Sequence, residues 1–338
     1  MTDYQNLKLI ATSSPHIRGS QTTQSIMRDV IIALIPALLF ACWNFGPRAL
    51  TVTLFSVAAC VFFEWGYRKL MKKPQSIQDL SCVVTGMLLA FVCPVQIPYW
   101  MLLIGDFFAI VLVKQLFGGI GCNFVNPALA GRAALLASYA GTMTSWADPA
   151  EKSANAIGSL ADVVTTATPL AMLKGGAAAD LMARYSAGDM FLGTIPGSLG
   201  EVSALCLLIG GAYLLYRNVI NWHTPVSFIA TVAVLTFLFP RGGAGNLDWM
   251  IYNVLGGGLI LGAVFMATDY ATSPVTAKGQ VIFGIGCGLF TVMIRYFGSY
   301  NEGVCYSIMV MNLFVALIDR YTKPARFGVE NKKEAAAK

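Results

Sequence analysis

The sequence predicts an all-α integral membrane protein with about ten transmembrane helices arranged in two related halves. Of its 338 residues, 56% are hydrophobic and only 12% are charged, whereas a typical soluble domain is about 25% charged. Apolar segments recur along the whole chain, and a helix that spans the hydrocarbon core needs about 20 such residues. In addition, several residues of the first half recur in the second half, which indicates an internal duplication.

Each predicted helix is an apolar segment that ends at a polar, glycine-containing or proline-containing turn. Several segments are shorter than a full span, and we expect these to be tilted, broken or re-entrant, which is tolerated where helices line a buried cavity. The ten segments are Val30–Phe45, Ala49–Trp65, Leu80–Val95, Tyr99–Phe117, Pro127–Ala140, Val202–Tyr216, Pro225–Phe239, Trp249–Ala267, Gln280–Phe297 and Gly303–Asp319.

The basic residues predict that both termini lie in the cytoplasm. With the N-terminus inside and every segment crossing, most of the 23 Lys and Arg residues fall on the cytoplasmic side, as the positive-inside rule requires. The chain then divides into a first membrane half (1–140), an extracytoplasmic loop (141–201) and a second membrane half with a cytoplasmic tail (202–338).

The internal repeat rests on residues that recur at a nearly constant spacing. Asn126-Pro127 of the first half is matched by Ser273-Pro274 of the second, and we expect Asp269 and the residues after it to close the same cavity as the Asn-Pro turn. The repeat is parallel if all ten segments cross, and inverted if one short segment is re-entrant. Four further matched residues are Thr85, Leu89, Phe91 and Pro94, which recur as Thr231, Leu235, Phe237 and Pro240.

Composition argues against several other kinds of function. The net charge of +6 comes without a cluster of basic and aromatic residues, so it does not indicate binding to nucleic acid. None of the eight cysteines forms a CxxC pair, which leaves an iron–sulfur cluster without support. With only two histidines in the chain, we predict no metal site.

The seven residues Asp162–Thr168 (DVVTTAT) are the most unusual stretch of the chain. They lie in its only long polar insertion, and their small, hydroxylated side chains are not what a bilayer selects. Residue types alone allow two interpretations. One is a structural turn, and the other is an attachment point at which the Thr168 hydroxyl is modified by a second enzyme.

A glycine-rich turn, GGIGCNFVNP, forms a second polar feature over residues 118–127. Asn123 and Asn126 are three residues apart, so they would share a face on a helical turn. Each amide offers donors and an acceptor, and glycines let a planar ligand approach the backbone. The alternative is a polar helix break in which the amides satisfy freed backbone groups.

Charged residues within apolar segments form a third group of candidates. Asp106 lies in the middle of LLIGDFFAIV, where a carboxylate costs at least about 2.5 kcal/mol. It is therefore a site coupled to ion or proton movement, a polar contact to a partner subunit or flavin, or a buried carboxylate bonded to a neighbouring helix. Glu64 and Arg68 are four residues apart, and their spacing predicts a simple ion pair at a helix end.

The Asp162–Thr168 stretch resembles the flavinylation motif Asp-x-x-Ser/Thr-x-Ala-Thr of one membrane protein family. That family contains the D subunit of the Rnf ion-translocating ferredoxin:NAD oxidoreductase and the B subunit of the sodium-pumping NADH:quinone reductase. The departures, Val163 and Thr166, are mild because Asp162, Thr165 and the Ala167-Thr168 pair are kept. Three more stretches, SSPHIRGSQTTQSIMRDV, LVKQLFGGIGCNFVNPALAGR and RYFGSYNEGVCYSIMVMN, also resemble the family, and the chain length favours the Rnf D subunit.

The resemblance implies two flavins. In the family motif the last threonine, here Thr168, is joined to FMN through a phosphoester by a dedicated flavin transferase. Lys174 or Arg184 would pair with the phosphate. A paired-asparagine turn contacts a noncovalent riboflavin in the related sodium-pump subunit, so Asn123 and Asn126 become candidates for a second, noncovalent flavin.

The resemblance also implies a fold like that of urea transporters and a place within a larger enzyme. The chain would relay electrons across the bacterial inner membrane, with Thr168 on the outer side, as one part of an oxidoreductase that exports Na⁺ or H⁺. Its partners would be the A, B, C, E and G subunits of the Rnf complex. Two alternatives remain: the sodium-pump subunit, which shares the chemistry, and a channel or permease without a redox role, because one fold hosts many functions.

Overall fold

The computed structural model describes residues 21–147, 165–176, 178–241 and 245–324, and its secondary structure is almost entirely helical. Asp162 of the predicted motif lies outside the described residues. The helices of the first half are α1 Thr23–Phe45, α2 Pro47–Leu70, a 3₁₀ helix Ile77–Asp79, α3 Ser81–Phe91, α4 Tyr99–Phe107, which continues as a π-helix Phe108–Gln115, α5 Pro127–Ser138 and α6 Ala140–Met143.

The region between the two halves contains, among its described residues, short strands and short helices. Its two strands, β1 Trp146–Ala147 and β2 Thr165–Thr166, pair antiparallel, with Trp146 opposite Thr166. Three short helices follow: α7 Pro169–Lys174, α8 Ala178–Arg184 and α9 Ala187–Leu192. The second half contains α10 Ala204–Tyr216, α11 His223–Leu238, α12 Asn246–Leu255, α13 Leu259–Leu261 with a π-helix Gly262–Met266, α14 Ala277–Phe297 and α15 Val304–Thr322.

Among the described helices, four are long and apolar enough to cross a membrane: α1, α2, α14 and α15. A fifth span is formed if α12 and the Leu259–Met266 helix, which meet at a bend of 60°, count as one. The prediction of a multi-pass all-α membrane protein is therefore confirmed. The other predicted segments are helical but short, so the structure does not confirm ten crossings, and the likeness to urea transporters stays a prediction.

Two buried arginines stabilise the two places where a helix is interrupted. Between α3 and α4, Arg48 donates to the carbonyl oxygen of Val95 at 2.9 Å. Between α12 and α13, Arg295 donates to the carbonyl oxygens of Asn253 and Gly256. An interrupted helix leaves carbonyl groups without partners, and in an apolar interior each must be satisfied. Each arginine supplies those donors from a neighbouring helix.

Both halves share one order of elements, a π-helix followed by a turn and an X-Pro dipeptide near a new helix. In the first half Asn126-Pro127 begins α5, and in the second half Ser273-Pro274 lies just before α14. This common order supports the duplication that the sequence predicts. The halves are not separate bodies, because α1 of the first packs along α10 of the second.

Glycine residues, which have no side chain, allow close contacts between α11 and α14. A Cβ atom at Gly284 of α14 would lie 1.9 Å from the Ser227 Oγ of α11, and one at Gly288 would lie 2.6 Å from Thr231. Small residues at such contacts let transmembrane helices approach and gain packing energy that lipid does not supply.

The segment between α9 and α10 covers the end of α3. The backbone N–H groups of Leu199 and Gly200 donate to the carbonyl oxygens of Cys93 and Phe91, at 3.1 and 2.9 Å. These bonds satisfy carbonyls that α3 leaves free where it ends. They also fix Glu201, the next residue, against the interior.

The predicted pair of Glu64 and Arg68 is wrong. Glu64 instead accepts from the ammonium of Lys114 at 2.7 Å, with both side chains buried. Arg68 donates to Gln115 at 3.1 Å and to the Pro74 carbonyl. A buried carboxylate needs a buried cation. Tertiary packing places the Lys114 ammonium next to Glu64, whereas Arg68, one helical turn away, bonds elsewhere.

Candidate functional site

Thr168 lies at the start of α7, where β2 ends. Its side chain is 7% exposed, and its hydroxyl oxygen accepts from the backbone N–H of Ala171 at 3.2 Å. It therefore serves as the N-cap of α7, with Pro169 at the first helical position, a combination that favours helix initiation. Thr165 and Thr166 precede it as β2, and Ala167 is exposed between the strand and the helix.

A cavity of about 240 Å³, the Thr168 cavity, lies next to this cap. Ala167 and Thr168 line one side of it, and Trp146 lines another. Tyr300 and Tyr306 also line it, with ring centroids 4.9 Å apart. A cavity with aromatic walls beside a hydroxyl group suits a planar ligand that is attached through that hydroxyl.

One cation and two carboxylates form a buried cluster at the edge of the Thr168 cavity. Arg132 of α5 donates to Glu201 at 3.0 Å and also to Glu302. Burial, and then the charge of Glu302, raises the pKa of Glu201 to about 7, while Arg132 acts in the opposite direction. Arg295 donates to the Glu302 backbone carbonyl at 2.9 Å. The cluster thus ties together α5, α14 and the segments before α10 and α15.

Lys174 and Arg184, the predicted phosphate partners, lie apart from Thr168. Lys174 is at the far end of α7, where its ammonium donates to the backbone carbonyls of Gly298 and Tyr300. The Arg184 guanidinium lies 5.3 Å from the ring centre of Tyr185. Neither residue lines the Thr168 cavity, so their pairing with a phosphoester stays a prediction.

A second cavity, of about 320 Å³, lies where the turns of the two halves meet; we call it the Asn-turn cavity. Asn123, Asn126 and Asp269 all line it, as the sequence predicts. Its walls are mostly apolar, with Met27 of α1 and Phe265 of the second π-helix among them. An apolar cavity of at least about 300 Å³ with a few polar groups is typical of a ligand site.

The two asparagines use part of their hydrogen-bonding capacity within the protein. The Asn126 side-chain oxygen accepts from the N–H groups of Ala128 and Leu129, which makes it the N-cap of α5, and its amide nitrogen donates to Met266 at 3.2 Å. The Asn123 amide nitrogen donates to Val125 at 3.1 Å. Asn123 also hydrogen-bonds to Asp269, whose pKa is raised by burial. Among the described residues, one N–H of Asn126 and the side-chain oxygen of Asn123 have no hydrogen-bond partner.

One helix, α5, connects the two cavities. Asn126 at its start lines the Asn-turn cavity, whereas Arg132 and Leu136 farther along line the Thr168 cavity. Six residues separate Asn126 from Arg132, which is about 9 Å along a helix axis. Thr23, at the start of α1, also lines the Asn-turn cavity.

Asp106 is completely buried between α2 and α4. One of its carboxyl oxygens accepts from Ser56 at 2.6 Å and from Cys60 at 3.2 Å. The other oxygen has no partner among the described residues. A buried carboxyl group with an unused oxygen is expensive to maintain, and neither cavity described above includes it.

The model of the NQR2, RnfD, RnfE family matches residues 10–328. The chain belongs to this family. The match takes in every described residue of both cavities, so membership of the NQR2, RnfD, RnfE family applies to the whole membrane region and not to one motif.

The chain is similar to several curated members over nearly its full length. It is 49% identical to the D subunit of the Na⁺-translocating ferredoxin:NAD⁺ oxidoreductase complex of Acetobacterium woodii, over 98% of this chain and 99% of the relative. It is 44% identical to the D subunit of the proton-translocating ferredoxin:NAD⁺ oxidoreductase complex of Clostridium ljungdahlii, over 97% and 99%. The D subunit of the ion-translocating oxidoreductase complex of Actinobacillus succinogenes is 34% identical, over 95% and 99%. The predicted resemblance to the Rnf D subunit is confirmed.

The sequence did not predict any of the three members of the cluster beside Thr168. Arg132 lies in an otherwise apolar segment, PALAGRAALLA, and a charge in such a segment signals a buried partner. Glu201 lies in the turn before α10 and Glu302 in the turn before α15, where nothing in the sequence sets them apart. Only the fold shows that both carboxylates face one guanidinium.

Proposed function

We propose that this protein is the D subunit of an ion-translocating ferredoxin:NAD⁺ oxidoreductase and carries electrons between the two faces of the membrane. Its partners in that complex would be the A, B, C, E and G subunits, in the bacterial inner membrane. Support comes from relatives of this name that match almost end to end. Those names include both Na⁺ and proton translocation, so the exported ion is Na⁺ or H⁺.

The observation that carries the relay is the position of two ligand-sized cavities on one helix. A protein that relays electrons across a membrane needs at least two redox cofactors. Residues of α5 line both cavities, and Asn126 and Arg132, which line one cavity each, are about 9 Å apart along the helix axis. A permease would instead need one continuous path for its solute. The two separate cavities therefore favour a redox role over solute transport.

We propose that the Thr168 cavity holds FMN, joined to the Thr168 hydroxyl by a phosphoester that a flavin transferase forms. The flavin would supply one-electron chemistry. Trp146, Tyr300 and Tyr306 would hold its ring system through aromatic contacts. The Arg132 guanidinium, held by two carboxylates, contributes a fixed charge next to the ring. The residues present fit such a group, since Thr168, which supplies the acceptor hydroxyl, and the aromatic residues line the same cavity.

We propose that the Asn-turn cavity holds a second flavin without a covalent bond. The pyrimidine edge of a flavin carries one N–H donor flanked by two carbonyl acceptors. The unused Asn123 oxygen and the unused Asn126 N–H would complement that edge, and the apolar wall around Met27 would cover the ring. The site lies toward the end of α1 at which the N-terminus enters, and we assign it to the cytoplasmic side.

Asp106 is our candidate for a polar intramembrane site linked to ion or proton movement. Support comes from its complete burial and from a carboxyl oxygen that has no partner among the described residues.

The test is in-gel flavin fluorescence of the denatured protein, made with its flavin transferase. Wild type should give a fluorescent band, and Thr168→Val should give none, because valine has the same shape but no hydroxyl. Thr168→Ser should retain flavin, since serine keeps both the acceptor and the helix cap.

Thr144→Val is the matched control, because Thr144 lines the same cavity but lies outside the motif. It should keep full fluorescence. Covalent flavin that survives in Thr168→Val would disprove the attachment site. A dark wild-type band, with the transferase active on another substrate, would instead favour the permease.

A further inference from the structure

A third cavity, of about 260 Å³, lies on the side of α7 away from the Thr168 cavity. Three basic residues line it, Lys174, Arg241 and Arg295, and none of its described lining residues carries a carboxylate. The carboxylates near Arg295 are Glu201 and Glu302, and both are already paired with Arg132. The cavity, which we call the basic cavity, therefore has an excess of positive charge.

Some hydrogen-bond donors of the basic cavity have no partner among the described residues. Of the five N–H groups of a guanidinium, Arg241 uses one in a bond to a described residue, donating to the Tyr296 carbonyl at 2.8 Å. Lys174 donates to two backbone carbonyls, which leaves its third N–H without a described partner. Burial lowers the pKa of Lys174, as expected for an ammonium group without an anion beside it. Arg295 is almost fully bonded, so it contributes mainly charge.

The basic cavity lies at the ends of apolar helices and beside aromatic residues. It opens where α11 and α14 end and α12 begins, which is the level at which apolar spans give way to polar residues. Trp249 and Tyr296 line it, and such residues mark the membrane interface. Phe239, Leu247 and Phe297 nearby are 61%, 61% and 78% exposed. These apolar surfaces would lie against acyl chains below the headgroup.

We propose that the basic cavity binds a phosphate group, of the kind that a phospholipid headgroup carries. The Arg241 guanidinium and the Lys174 ammonium would donate to the phosphate oxygens, since arginine in particular forms paired bonds with phosphate. This site is separate from the proposed flavin attachment, because Thr168 does not line it.

The test uses the full chain without flavin, so that no flavin phosphate competes. The protein is delipidated in neutral detergent and placed in phosphatidylcholine nanodiscs with or without phosphatidylglycerol. Native mass spectrometry then counts the retained lipid molecules. We expect wild type to retain phosphatidylglycerol in preference to phosphatidylcholine. The double variant Lys174→Gln and Arg241→Gln should bind it about tenfold more weakly or worse, as loss of charge-assisted hydrogen bonds implies.

Lys278→Gln with Lys323→Gln is the matched control, because it removes the same charge at the other face and should leave binding unchanged. Arg241→Lys, which keeps the charge, should retain part of the affinity and guards against misfolding of the glutamine variants. Thermal stabilisation by inorganic phosphate alone, lost in the double variant, would identify a free phosphate as the source. Equal retention of phosphatidylglycerol by wild type and the double variant, with no effect of phosphate, would overturn the proposal. That result would leave the flavin assignment untouched.

Discussion

The buried Glu201 should make the protein less stable as the pH rises from acid to neutral. Its pKa is raised from 4.5 to about 7, first by burial and then by Glu302. Between these two values the folded protein keeps the proton while the unfolded chain has lost it. The contribution of Glu201 to stability is therefore least unfavourable below pH 4.5 and becomes more unfavourable until the pH passes about 7.

The size of this decline follows from the same pKa values. Each unit between the unfolded and folded pKa corresponds to about 1.4 kcal/mol, so the contribution of Glu201 is about 3 kcal/mol over the window. Because the group is buried, solvent does not screen this contribution as it would on the surface. Burial also raises the pKa of Asp269, which adds to the decline with the same sign.

The assay is reversible unfolding in mixed detergent micelles at several pH values, followed by tryptophan fluorescence, for the protein without flavin. Glu201→Gln should remove about 3 kcal/mol of the decline, whatever its effect on absolute stability. Asp189→Asn is the control, because hydrogen bonds from Ser186 lower the pKa of Asp189, so its titration lies below the window. The same decline in wild type and in Glu201→Gln would refute this reasoning, as would a stability that rises with pH.

Three further predictions concern the second flavin, the intramembrane carboxyl and the helix packing. Asn123→Leu combined with Asn126→Ser should lower the noncovalent flavin content and leave the covalent flavin unchanged, because serine still caps α5. Extraction of free flavin followed by chromatography measures the noncovalent content. If that content is the same as in wild type, the second flavin site is wrong. Asp106→Asn should keep its flavin and its fold, since the amide carbonyl oxygen can still accept from a hydroxyl. It should abolish ion uptake by the assembled complex in vesicles. Normal uptake would exclude a role of Asp106 in ion movement. Gly284→Val should destabilise the protein by about 1–3 kcal/mol through overpacking. Adding Ser227→Gly to this variant should restore part of the lost free energy of unfolding. No restoration would mean that the strain lies at another contact.

The sequence was sufficient for the class of fold and for a few of the residues that line the two cavities, namely Ala167, Thr168, Asn123, Asn126 and Asp269. Hydropathy does not depend on tertiary structure, so the apolar segments could be read directly. The Asn123 and Asp269 turns were paired correctly because a duplication places equivalent turns at equivalent positions, and in the structure they line one cavity.

What the sequence could not supply were contacts between distant charges. Glu64 was assigned to Arg68 by helical spacing, but its partner is Lys114 on another helix. Glu201 likewise gave no signal, since its role depends on Arg132 and Glu302, which are far from it in the chain. A charge in an apolar segment indicates that a partner exists, but the packing of the helices decides which one. The number of membrane crossings could not be predicted either, because the length of an apolar segment does not distinguish a full crossing from an interrupted span.

Because α5 lines both cavities, the length of this helix sets the distance between them. Its length is set by its own hydrogen bonds, so the spacing between the two cavities does not depend on how loops pack around them. A single inserted residue would move everything beyond it by about 1.5 Å and turn it by about 100°, so that Arg132 would leave the face that Glu201 and Glu302 share. Substitutions along α5 can be absorbed by neighbouring side chains, whereas a change in its length would alter both sites at once.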